Sequence, residues 1–166
     1  MFSVDTYISS IKANLAKQSD LLVSNLKNIV AYNFSPNIDL LDFSAFIEPT
    51  RFEFSIMMFT MDQDANEVFY EGSDKTIFAG SAEVLPEVEY YQLTDSQLED
   101  FFNFYEQNEE TIMPEEQKAF TNWFSTCWTK AGGQALQLPS YFVFHDDYKS
   151  FDLKGNQWID DDEKWS

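Results

Sequence analysis

His145 and Cys127 are the single imidazole and the single thiol in the chain. They match no local nucleophile motif, and one of each is too few for a zinc site built from His and Cys. Cys127 falls on the apolar stripe of a predicted helix, where a thiol packs as a small hydrophobe. His145 is followed by Asp146 and Asp147, and a carboxylate beside an imidazole can orient it as a base. Neighbours on a strand point to opposite faces, so the triplet reads first as a strand end. A hydrolase using His145 or a pair of carboxylates remains one function class the residues allow. The separation and surroundings that such a pair needs are properties of the fold.

Asp62, Asp64, Asn66 and Glu67 resemble the opening of a calcium loop. That loop needs Gly at its sixth position and Glu at its twelfth, where this chain has Glu67 and Ser73. The segment therefore reads as a hairpin turn. Dinucleotide, P-loop, zincin and nucleophile-elbow patterns are absent. No catalytic constellation, cofactor or metal is expected.

Charge is the largest departure from an ordinary composition. Twenty-nine Asp and Glu against ten Lys and Arg give a net charge of −19 over 166 residues. Such a chain repels phosphates, so nucleic acid and anionic membranes are disfavoured as partners. A basic protein is favoured, because complementary charge speeds encounter and rejects wrong partners. Aromatic residues beside acids would anchor the contact. Three candidate patches follow: Asp146-Asp147-Tyr148; Trp158 with Asp160-Asp161-Asp162; and Glu87-Glu89-Tyr90-Tyr91. The opening MFSVDTYISS lacks a basic segment followed by an apolar run, and no stretch approaches the length of a membrane span. A cytoplasmic protein is the expectation.

These patches need elements to hold them. Val4, Ile8, Ile11, Leu15, Leu22, Leu26 and Ile29 predict a helix over 4–32, with a weak point near Ser19-Asp20. Residues 37–49 suit a short helix or a strand. Alternation predicts a strand from Phe52 to Met61, a return over 67–70 and a third strand over 75–79. Thr94 with Gln97 forms a capping box before a helix over 95–108. Pro114 suits the first position of another helix over 114–131, stopped by Gly132-Gly133. A hairpin is expected over 140–159 and a solvated acidic tail over 160–166.

Grouped rather than alternating elements predict a single α+β domain, an antiparallel sheet covered by helices. A small, acidic, aromatic-rich chain with this order, including the strand at 52–61 and the aromatic hairpin at 141–153, resembles immunity proteins of bacterial polymorphic or contact-dependent toxin systems. The resemblance lies in general character and transfers no site residue. It implies a protein that covers a cognate toxin, often a basic nuclease. A DNA mimic, whose carboxylates would copy phosphate spacing to inhibit a nucleic-acid-binding protein, is the other binding class.

Overall fold

A computed structural model describes residues Met1–Ser166. The chain begins with α1 (Val4–Lys17) and α2 (Ser19–Val30). Ser3 caps α1 by accepting the Thr6 N–H at 3.2 Å. The expected weak point is a break at Gln18, whose N–H turns back to the Leu15 carbonyl. The indole N–H of Trp123 donates to Ser19 just beyond it at 3.0 Å. Ile8, Ile11, Leu15, Leu22, Leu26 and Ile29 are all buried, so one apolar stripe survives the break.

Three long strands follow: β2 (Leu40–Glu48), β3 (Glu53–Met61) and β5 (Ser81–Glu89). The short strands β1 (Asn33–Phe34) and β4 (Ile77–Phe78) pair in parallel as a separate ribbon. After a 3-10 turn comes α3 (Leu98–Lys130), and the chain closes with β6 (Ser140–Phe144), β7 (Lys149–Asp152) and β8 (Gln157–Asp160). The six-stranded sheet has the order β5-β3-β2-β6-β7-β8.

The α+β class and a mostly antiparallel sheet are as expected, with one parallel seam, where β2 meets β6. The ambiguous segment at 37–49 resolves into β2, which is flanked on both sides. Its first six residues are buried, as a strand covered on both faces requires. Register places Leu41, Phe43 and Ala45 beside Phe142, Phe144, Ile56 and Met58 on one face. Helix α3 packs there: Phe124 stacks on Phe142 at 4.6 Å, Phe120 meets Phe54 at 5.0 Å, and Trp128 meets Phe43 at 5.1 Å. Together with α1 and α2 they form one continuous core of 31 buried residues.

Several boundaries differ from the sequence reading. The return over 67–70 is no strand; a single bridge joins Met61 to Glu67. The strand expected over 75–79 shrinks to β4. Its place in the large sheet goes to β5, which contains Pro86. Proline cannot donate to a ladder, and β5 is an edge strand whose register slips on either side of Ile56. The two helices expected over 95–108 and 114–131 are one 33-residue helix running through Pro114. Pro114 is exposed, where water can serve the carbonyl it leaves unbonded.

The acidic tail is likewise folded. Asp160 ends β8 and Asp161–Trp165 forms a 3-10 turn against the sheet. Lys164, with a side chain 1% exposed, directs its ammonium to both oxygens of Asp42 at 3.0 Å and to Ser150 at 3.0 Å. Asp161 approaches the same ammonium at 2.6 Å, and the Trp165 ring lies 5.0 Å away. A buried cation with a complete set of partners holds the turn that four acids in a row made look solvated.

Candidate functional site

Of the three expected patches, two merge. The β7–β8 register sets Lys149 beside Asp160, and Asp161 N–H donates to the Tyr148 carbonyl at 2.8 Å. Asp146, Tyr148 (87% exposed), Trp158, Asp160 and Asp162 are the exposed members of the merged patch. Asp160 pairs with Lys149 at 3.5 Å and Asp161 with Lys164. Asp147 accepts from Gln117 at 3.1 Å, tying the β6–β7 turn to α3. The third patch lies on β5, at the opposite edge of the sheet. Glu87 and Glu89 are exposed there, and Glu87 meets Arg51 at 3.2 Å. Tyr90 is only 2% exposed and belongs to the core, while Tyr91 packs edge-on to Tyr7 at 4.7 Å. These two rings are structural neighbours of the patch, and Tyr90 offers no outward surface.

The Asp62 turn serves its own backbone. Asp62 accepts the N–H groups of Asp64 and Asn66 at 2.9 and 3.0 Å, and Asp39 accepts that of Gln63 at 2.9 Å. Cys127 is buried, as its stripe position predicted, and burial pushes its thiol up. His145 is exposed at the end of β6, 3.3 Å from Asp146, with its ring against Phe46 at 4.5 Å. Asp146 has a left-handed backbone (φ 67°), so the chain turns sharply there.

His145 and Asp146 stand at one end of the principal cleft, about 640 Å³ in volume. It lies where β2 and β6 end and β3 begins, with α3 and the first turns of α1 on the other side. Phe and Tyr rings make about half of its lining, including Phe52, Phe101, Phe102, Tyr105 and Phe120. Three carboxylates reach it, Glu109, Glu116 and Asp146, but no lysine or arginine.

Glu116 is its chemical centre. Tyr7 from α1 donates to one carboxylate oxygen at 2.5 Å, and Tyr105, eleven residues back on α3, donates to the other at 2.6 Å. Burial raises the Glu116 carboxyl above the ordinary range, and the two hydroxyl bonds offset only part of that rise. Burial also pushes the Tyr7 and Tyr105 phenols up, as does the neighbouring carboxylate, so both stay protonated donors. With two lone-pair positions occupied, a carboxylate retains about two for a further donor. A half-buried acid among aromatic side chains, with fixed orientation and no counter-cation, is equipped to receive a cation or to hold a proton.

Sequence reasoning missed this residue. Read as part of one helix, Ile112, Glu116, Phe120 and Phe124 recur every four residues, placing a carboxylate inside the apolar stripe. Ending one helix at 108 and starting another at Pro114 moves Glu116 into a first turn, where an acid is ordinary.

Comparison with protein-family models, with curated proteins and with solved structures finds no match to this chain.

Proposed function

We propose that the chain is a binding protein that neutralises a basic protein partner, a cognate toxin domain, by direct contact. One observation carries this reading. Between Lys75 and Lys118 lie eleven carboxylates and no lysine or arginine. They fall on the β5 edge (Glu83, Glu87, Glu89), on the 3-10 turn (Asp95) and along the first half of α3 up to Glu116. Glu87 alone among them meets a base. Both elements reach the cleft, through Tyr90 just beyond β5 and through Phe101, Phe102 and Tyr105 of α3. Unneutralised charge concentrated along two adjoining elements, beside a recess with an aromatic lining, is a favourable arrangement for steering and then anchoring a basic surface. No helix is long and apolar enough to cross a membrane, which is compatible with a partner met away from the bilayer.

The test is co-expression with the product of the adjoining gene. A complex should form whose affinity falls as salt rises from about 50 mM to about 500 mM, and cells carrying both proteins should survive. Absence of both complex and protection would end the proposal.

A catalytic reading is favoured by one feature, the raised carboxyl of Glu116 in a cleft that Glu109 and Asp146 also line. It calls for Glu116 as the acid and a second carboxylate as the base of a hydrolysis. Any hydrolytic activity found in a substrate screen should then vanish in Glu116→Gln.

A further inference from the structure

We propose that the cleft is a receptor for one arginine side chain of the basic partner, its guanidinium seated on the free edge of the Glu116 carboxylate beside the cleft's aromatic side chains. This deepens the toxin-binding reading and rests on it for the source of the arginine.

Three observations select a cation. First, Glu116 has no ionic partner, and nothing basic lines the cleft except His145, which already faces Asp146 at 3.3 Å. Second, Phe46, Phe102 and Tyr105 line the cleft and are not buried, and aromatic rings attract cations most strongly where water is excluded. Tyr7, Phe52 and Phe101 are buried and pack against one another, Tyr7 and Phe101 at 5.2 Å and Phe52 and Phe101 at 5.3 Å. Third, Tyr7 and Tyr105 each occupy one lone pair on a different oxygen, fixing the carboxylate plane. The two positions left suit the parallel N–H pair of a guanidinium better than the single point charge of an ammonium.

Two further features select a protein as the source. The volume of about 640 Å³ far exceeds one guanidinium, so the stem and its flanking chain can enter with the head. The rim carries Glu109, Phe102 and Met113, all exposed, which continue the acidic and apolar character outward along α3.

The experiment uses the full chain with aromatic side chains labelled for NMR. The probe is a short, capped glycine peptide holding a single arginine. The controls are the same peptide with citrulline, which keeps the shape and loses the charge, and guanidinium ion alone. The arginine peptide should shift the Tyr7 and Tyr105 ring signals saturably, and the citrulline peptide should bind at least about tenfold more weakly. Glu116→Gln, a near-isosteric change with an aromatic spectrum to verify its fold, should weaken arginine binding by a similar factor. Tyr105→Phe should weaken it less. Equal binding of citrulline, unchanged binding to Glu116→Gln or no saturable shift would overturn the proposal. Guanidinium binding as tightly as the peptide would assign the cleft to a small organic cation and overturn the docking form. The toxin reading fails separately. Arginine seating without a complex rejects that reading alone, whereas a complex indifferent to Glu116→Gln rejects only the receptor.

Discussion

Tyr7 donates its hydroxyl to Glu116 at 2.5 Å, joining the first turns of α1 to the middle of α3. The same carboxylate takes Tyr105 on its other oxygen. The bond therefore links two helices and also aims an acid that the core half encloses. Burial disfavours its charge, so holding it ionised costs folding energy.

Removing that charge should stabilise the protein. A carboxyl raised in the folded state stabilises the native form while protonated. That contribution is complete below the unfolded value of about 4.5 and is lost as pH rises through the higher folded value. Glu116→Gln should accordingly gain on the order of 1 kcal/mol at neutral pH. The gain should disappear in urea unfolding below about pH 4. A loss of stability at neutral pH would show that the two tyrosines more than offset the desolvation.

Removing either donor should push Glu116 further up. In Tyr105→Phe the carboxyl loses one of the two bonds that favour its charge. Its titration, followed by carbon NMR, should move to higher pH. No movement would mean that the phenol bond does not favour the charged form.

Lys164 should be among the costliest polar side chains to delete. Lys164→Ala leaves Asp42 and Ser150 buried without their donor and should cost about 3–5 kcal/mol. Pairing Lys164→Met with Asp42→Asn should recover part of that loss, which denaturant titrations can measure. Burial acts to raise Asp161, but its bonds to Lys164 and Ser150 outweigh it and hold the carboxyl below the ordinary value of about 3.8. Its contribution is present above that value and is lost as pH falls through the lower folded one. Asp161→Asn should therefore flatten the acid limb of the stability profile.

A methyl at Gly133 would overlap the indole of Trp128. Gly133→Ala should destabilise by about 1–3 kcal/mol through overpacking, and Trp128→Phe in the same chain should relieve much of it. Calorimetric midpoints of the single and double variants provide the check.

For the proposed complex with a basic partner, changing Glu83, Glu87 and Glu89 together to Gln should slow association several-fold while leaving dissociation nearly unchanged. That is the signature of steering by exposed charge. Stopped-flow traces at low and high salt should converge as screening removes the difference.

Local pattern made part of this legible. Alternation located β3, and Phe54, Ile56 and Met58 are buried as the pattern required, while Phe52, also buried, stands just before the strand with a left-handed backbone. The Thr94–Gln97 cap also holds, with Thr94 N–H donating to Gln97 at 3.0 Å. What local pattern misses is set by distant partners. Pro86 argues against a strand until β5 is seen to be an edge, and Pro114 argues for a helix start until packing against the sheet carries α3 through it. Lys164 sits beside four acids in sequence, yet its main partner, Asp42, is 122 residues away. Glu116 was hidden by the same proline.

The seam between β2 and β6 has a kinetic consequence. Leu41 pairs with Ser140 and Ala45 with Phe144, so about a hundred residues must be threaded before the centre of the sheet can close. Until then β2 presents an open edge whose run Leu40-Leu41-Asp42-Phe43-Ser44-Ala45 carries one charge. Contacts so remote in the chain slow folding, and unpaired apolar edges invite self-association meanwhile. Refolding yield should therefore fall with protein concentration, and a synthetic β6 peptide supplied in excess should compete for the edge and delay the native signal.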